Sequence, residues 1–227
     1  VPPKRPSGSA SRQTPRFDGE LAERSGDGLD HGEVIEDATW SGAAPPAASD
    51  VEISCARLSN VTLTGLELER WRLVDVELVE CELSGTVLTE GRWERVVLRR
   101  CRLSGLVAAE LRAMDTLVQD CKADGAWLRG SVLDRCELVD TDLSGADLYG
   151  AEVTRSIFRR CDLTQVDVSQ SRFDQVSLHG STVDRIKGAD ALRDCTIASD
   201  QVISLALPIL AARGITVDDD PPDLVEP

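Results

Sequence analysis

Every fifth residue from Ile53 to Val183 is apolar, an unbroken run of 27 positions that starts Ile53, Leu58, Leu63, Leu68. In a chain of 227 residues with 41% hydrophobic content, chance gives such a run with a probability on the order of 10⁻¹⁰. The residue two places before each of these carries no charge and is mostly Ala, Cys, Ser, Thr or Val. The other three places of each five hold 23 acids and 17 bases among 81 positions. Two positions of each five therefore face inward and three face water.

A period of five fits neither the 3.6 of a helix nor the 2.0 of a flat strand. It suits a chain that turns a corner every five residues, so that four fives close a square coil and coils stack through strand-like hydrogen bonds. A 20-residue coil is visible independently. Cys81-Glu82-Leu83-Ser84-Gly85, Cys101-Arg102-Leu103-Ser104-Gly105, Cys121-Lys122-Ala123-Asp124-Gly125 and Thr141-Asp142-Leu143-Ser144-Gly145 recur at spacing 20, and Gly65 begins the same column. At about 4.8 Å per coil, some 6.5 coils make a rod of roughly 31 Å. Like any solenoid it needs capped ends.

Thr141-Asp142-Leu143-Ser144-Gly145, followed by Ala146-Asp147-Leu148-Tyr149-Gly150, resembles the A(D/N)LxX units of pentapeptide-repeat proteins. The resemblance covers about residues 51 to 198 and implies an all-β fold, a right-handed quadrilateral β-helix of about seven coils. Aspartate stands second in its unit only at Asp142, Asp147, Asp162 and Asp167; Glu or Arg is more usual elsewhere.

The organisation expected from this is a disordered arm over residues 1–28, rich in Gly, Ser, Pro and charge. An N-terminal cap and loop over 29–50, with Glu33 to Gly42 as the cap, precede the β-helix over 51–198. A helical cap over 199–217 and an acidic tail over 218–227 follow it. Between Val183 and Leu192 the spacing is nine rather than ten, so the register slips into an irregular last coil that includes Ile197. Ser199 or Asp200 is placed to cap a helix over Gln201 to Ala206, and Pro208 to begin a second helical turn ending at Gly214. The apolar run Val202, Ile203, Leu205, Leu207, Ile209 and Leu210 is too long to be wet on both sides. One side should close the last coil and the other is a candidate homodimer surface.

Five cysteines, Cys81, Cys101, Cys121, Cys136 and Cys161, take the small inward position, as Cys195 does in the slipped register; Cys55 points outward. A collinear column one rung apart does not give the tetrahedral site zinc prefers, so the expected state is a reduced core thiol and no metal. Trp71 fills a small inward position, and Gly91 stands there one coil later. Trp93 is followed by Ala113, and Leu106 with Ala108 and Leu111 with Ala113 exchange bulk between the two inward positions. This is volume compensation of the kind close packing demands, rather than a ligand pocket.

No catalytic motif is present, and the two histidines offer little: His31 falls in the flexible arm and His179 at an outward position with Asp174 and Asp184 five residues away. The expectation is a non-enzymatic protein without cofactors. No apolar stretch approaches a membrane span and the opening Val1-Pro2-Pro3-Lys4 lacks a signal-peptide core, so a cytoplasmic location is expected.

The net charge of −15 excludes a basic nucleic-acid binder. Among similar proteins, the fluoroquinolone-resistance members bind DNA gyrase and topoisomerase IV as mimics of duplex DNA, so the resemblance implies a type II topoisomerase partner and modulation of its inhibition. The outward charges sort by face. The first face, with Ile53 and Leu73, has 7 acids and 7 bases, and the second, with Leu58 and Leu78, has 5 and 5. The third, with Leu63 and Leu83, has 5 and 3. The fourth, with Leu68 and Leu88, has 6 acids (Glu67, Glu69, Glu90, Glu110, Asp147 and Asp167) against Arg70 and Arg129. A partner-binding acidic surface is therefore expected on the fourth face. Duplex DNA over about 31 Å carries roughly 18 charges, about three times the rod's net −6. The alternative is a scaffold or protein-interaction module unrelated to topoisomerases. Arg92, Arg95, Arg99, Arg100, Arg159 and Arg160 favour it, because a phosphate mimic gains nothing from arginine clusters.

Overall fold

The computed structural model describes residues 11–17, 19–24, 30–41 and 48–218. The chain is a right-handed quadrilateral β-helix of about eight turns with one C-terminal helix. Its strands pair in parallel at an offset of 20: Glu52–Ser59 on Arg72–Val79, and that strand on Arg92–Arg99. Ile53, Leu73 and Trp93 therefore stack in one column, and Leu58, Leu78 and Leu98 in another. Of the 27 periodic positions all but Val118 and Leu128 are buried, and those two pack against the same core.

What bends the chain is a left-handed residue at each corner. From Cys55 to Arg185 every fifth residue has a φ of 49 to 70°. Only eight of these corners are glycine; the others are mostly Arg, Asp, Glu and Gln. A side chain in this region costs about 1–2 kcal/mol. The cost is offset by backbone bonds to neighbouring coils, such as Asn60 N–H to Val79 O at 3.0 Å and Glu80 N–H to Arg99 O at 2.9 Å.

The small inward residues are polar for a reason. Most of the hydroxyls and thiols there donate to a carbonyl of the previous coil, 23 residues earlier, whereas Thr116 and Ser156 donate to the carbonyl two residues earlier. Thr86 Oγ1 reaches Leu63 O at 2.6 Å, Ser131 Oγ reaches Ala108 O at 3.1 Å, Cys101 Sγ reaches Leu78 O at 3.5 Å and Cys161 Sγ reaches Leu138 O at 3.3 Å. Burial pushes the Cys136 thiol up to about 12 and the Cys161 thiol up to about 11. No disulfide joins the cysteines, and no metal-holding cluster occurs among the described residues. Aspartate in the second position has an equally local role. Asp142, Asp147, Asp162 and Asp167 each accept the N–H two residues on, at 2.9 to 3.0 Å.

Bulk is exchanged as the sequence suggests. Trp71 is buried with its Nε1–H on Ala48 O at 2.7 Å, and a Cβ on Gly91 would lie 2.6 Å from Leu88 Cδ2. An interior void of about 60 Å³ lies among Trp93, Leu106, Ala113 and Ala123, far below the ~300 Å³ of a ligand site.

Several expectations are corrected at the ends. Val34–Glu36 and Ala38–Ser41, read as a cap, pair with Glu52–Ser59 and form a further coil at an offset of 18. Residues 11–17 and 19–24, expected within a disordered arm, lie against the rod; the rest of 1–28 and the acidic tail beyond Asp218 fall outside the described residues. The arm's polar composition hides contacts made by its backbone rather than by an apolar pattern. At the other end Val176–Ser177 pairs with Cys195–Thr196 at an offset of 19, the slip of one residue the sequence shows. Neither Ser199 nor Asp200 caps the helix. Gln201 stands at its N-cap without a side-chain cap bond; its Oε1 instead accepts Ala198 N–H at 2.8 Å, closing the 3-10 turn Ser199–Gln201, while its Nε2 donates to Leu178 O and Ser181 O across the end of the core. Pro208 lies inside one continuous helix, Val202–Ala212, because losing a single N–H bond there does not outweigh the turns on either side. Leu205 is buried, whereas Val202, Ile203, Leu207 and Ile209 are exposed and Leu210 is half-buried. This helix is not long enough to cross a membrane.

Two glycines test the corner and the cap separately. Gly85→Ala has open space and should cost about 1–2 kcal/mol through φ alone. At Gly188 a Cβ would lie 2.4 Å from Ser169 Cα, so Gly188→Ala should cost over about 3 kcal/mol in urea unfolding.

Candidate protein-binding face

On the fourth face the outward side chains stack in columns set by the backbone bridges. Glu67 is followed by Val87, Val107, Trp127, Asp147, Asp167 and Lys187. Beside it run Glu69 and Thr89, then, at the same spacing of 20, Ala109, Arg129 and Tyr149. Glu90 and Glu110 occupy the adjoining left-handed corner. The six predicted acids thus share a face without forming one continuous strip. Glu67 and Glu69 lie at one end, Asp147 and Asp167 toward the other, and Val87, Val107 and Trp127 separate them.

Trp127 and Tyr149 are 53% and 45% exposed, whereas Trp40, Trp71, Trp93, Phe158 and Phe173 are buried. Arg129 lies 5.7 Å from the Trp127 ring and 5.6 Å from the Tyr149 ring, and its Nε donates to Asp147 Oδ2 at 2.6 Å. An arginine is thereby held between two rings on a short corner-to-corner face. The sequence showed the acids here and missed the aromatic centre, although Trp127 and Tyr149 were readable as bulky residues in outward positions.

The acids also differ in what they are doing. Glu69 and Asp50 both bind Arg70, and Asp147 binds Arg129. Asp167 is partly buried, and this desolvation alone would raise its pKa. Bonds from Ser169 outweigh it and hold the carboxyl below the usual range. Glu67, Glu90 and Glu110 make no ion pair among the described residues.

Elsewhere on the rod, arginines pair with acids one coil away: Arg57 with Glu77, Arg72 with Glu52, Arg95 with Asp75, Arg100 with Glu80, Arg135 with Asp115 and Arg160 with Asp140. The arginine clusters of the first two faces are largely rungs of these ladders. His179 is exposed and its Nδ1 lies 2.8 Å from Ser177 Oγ, a local contact outside any enclosed pocket. His31, expected in the flexible arm, is instead tied to the first coil, its Nδ1 accepting Ser49 N–H at 3.1 Å.

Asp75 and Asp115 are the most buried of the paired acids, 7% and 1% exposed. Burial alone would raise their pKa. Arg95 and the Arg16 N–H on Asp75, and Arg135 and the Gln13 N–H on Asp115, outweigh it and lower both. The stability these carboxylates contribute is full above the unfolded pKa of about 3.9 and is lost as pH falls through their lower folded values. Thermal melting should hold level from pH 7 to about 4.5 and fall below it. In Asp75→Asn/Asp115→Asn the melting temperature at pH 7 should drop and the acid-induced fall should shrink.

Residues 119–155 and 141–180 match the family model "Pentapeptide repeats" in 8 copies. No curated protein matches in sequence. Among solved structures, HetL, a pentapeptide-repeat protein of heterocyst differentiation regulation from Nostoc sp. strain PCC 7120, is 16% identical with a TM-score of 0.41, over 73% of this chain and 87% of its own. Full-length QnrB1, a plasmid-mediated fluoroquinolone resistance protein, is 14% identical with a TM-score of 0.42, over 78% and 98%. A pentapeptide-repeat protein of the Arabidopsis thaliana thylakoid lumen is 22% identical with a TM-score of 0.38, over 47% and 71%. Residues 119–180 thus carry eight matched pentapeptide repeats, and the quadrilateral coil they belong to continues on both sides of them.

Proposed function

We propose that this protein is a non-catalytic, cytoplasmic binding rod whose fourth face docks a basic protein surface, with Trp127 as the anchor. The observation that carries this is the placement of the exposed Trp127 and Tyr149 around Arg129 on the face with the largest acid excess. An apolar centre of Val87, Val107 and Trp127 with an acidic rim has the anatomy of a protein interface. Trp, Tyr and Arg are also the residues that dominate binding energy in such interfaces.

The type II topoisomerase implied by the repeat resemblance is the named candidate partner. Its support is the row of acids without ion pairs, Glu67, Glu90 and Glu110. Against strict duplex mimicry stands the apolar centre, and so does the neutralisation of Glu69 and Asp147 by Arg70 and Arg129. The reading unrelated to topoisomerases, a scaffold or interaction module, is favoured by that same centre. Exposed Val202, Ile203 and Leu207 make the C-terminal helix the proposed homodimer surface.

A supercoiling assay with purified gyrase, with and without a quinolone, separates these readings. If gyrase is the partner, the wild-type protein alters supercoiling or relieves the quinolone. Trp127→Ala should then weaken the effect about 30-fold, the equivalent of about 2 kcal/mol. Charge reversal is cleanest at Glu67, Glu90 and Glu110, because Asp147 and Asp167 hold turns. Their triple substitution by Lys should abolish the effect, and His179→Ala should leave it unchanged. A wild-type protein without effect on gyrase removes the topoisomerase and leaves the scaffold reading.

A further inference from the structure

The second face carries apolar side chains that the stacked coils do not need. Val97, Leu117 and Val139 occupy outward positions, yet they are 4 to 6% exposed and form a cluster separate from the core. The chain segment that runs along this side is the arm. Arg12 Nε lies 3.6 Å from Glu137, the Gln13 N–H donates to Asp115 Oδ1 at 3.0 Å, and the Arg16 N–H donates to Asp75 Oδ1 at 2.9 Å. Arg57 then lies over the Phe17 ring at 5.4 Å, and Ala22–Arg24 pairs with the strand Ala38–Ser41. Three residues from Gln13 to Arg16 cross two coils, about 10 Å, which is the reach of an extended chain.

The arm is opposite in charge to the rod. Residues 1–17 contain Lys4, Arg5, Arg12 and Arg16 and no acid, within a chain of net −15. Its recognition is that of a bound peptide: backbone N–H groups on two buried carboxylates, a basic side chain beside Glu137 and an apolar strip beneath. The fit is incomplete, since Arg12 Nε is buried without a hydrogen-bond partner. A segment that satisfied this position would compete with the arm.

We propose that the strip of Asp75, Asp115, Glu137, Val97, Leu117 and Val139 is a groove for an extended, arginine-bearing segment of a partner protein, held closed in cis by residues 11–17. It lies on the face opposite Trp127, so its test is independent of the docking proposed there. The tether gives the arm a high effective concentration, and an incoming segment of equal affinity binds only when the arm is weakened.

The experiment uses the full chain and a fluorescein-labelled peptide of the sequence Ser11 to Phe17, read by anisotropy. Gln13→Pro with Arg16→Pro removes both N–H donors from the arm while leaving every coil residue in place. This opened chain, with a thermal melt like that of the wild type, should bind the peptide at least tenfold more tightly than the wild type does. Peptide with both arginines replaced by Glu should not bind. Leu117→Lys in the opened chain, at an outward position outside the main core, should abolish binding. Equal affinity for opened and wild-type chains, no binding to the opened chain, or binding that survives Leu117→Lys would each overturn the proposal.

Discussion

The left-handed corner at every fifth residue is the constraint on which the molecule depends. It spaces the inward side chains at three and two, closes the coil at four corners and puts residue i under residue i+20. Side-chain columns follow from that alignment. Where Asp and Arg alternate down a corner, as at Asp75, Arg95, Asp115 and Arg135, the column becomes a ladder of two-pronged ion pairs at 2.7 to 2.8 Å. Exposed single pairs contribute little, but the two carboxylates here are nearly buried and also receive the arm's N–H groups. Backbone geometry thus decides which charges are spent inside the rod's own surface.

That consequence alters what the acidic composition means. Of the net −15, −4 lies in residues 1–50, −6 in 51–198 and −5 in 199–227, so nine of the fifteen lie in the ends. On the rod, acids such as Asp75, Glu80 and Asp140 are matched by arginines one coil on. A duplex mimic needs uncompensated charge at a regular rise. The fourth face instead alternates acid, valine, tryptophan and acid along one column.

Most of the fold was legible because the period of five is set by burial, which residue type reports directly. Ile53, Leu78 and Val153 are read as inward from their chemistry alone, and the thiols at Cys101 and Cys161 from their column. The corners were less legible, since Arg70, Glu80 and Gln165 carry no mark of a positive φ and only the Gly65 to Gly145 column does. The arm was not legible at all. Ser11 to Phe17 has no apolar period, and its partners Asp115 and Asp75 are about 100 and 60 residues away. A signal did exist: Leu117, an outward leucine, needs a cover. On the acidic face a count by face mixes Glu67 with Trp127, whereas a count by column separates them.

The two proposed recognition surfaces lie on opposite faces of one stiff body. Between them is an aliphatic core whose interior voids are no more than about 60 Å³. Nothing in such packing offers two discrete arrangements that a ligand on one face could choose between for the other. Substitutions at Trp127 and at Leu117 share no partner and lie on different columns, so their effects should add. If both proposed surfaces are occupied, the rod is a rigid spacer that fixes the distance between two bound segments and transmits no signal between them. In the groove proposed above the responding element is the arm, whose release requires no coil to move.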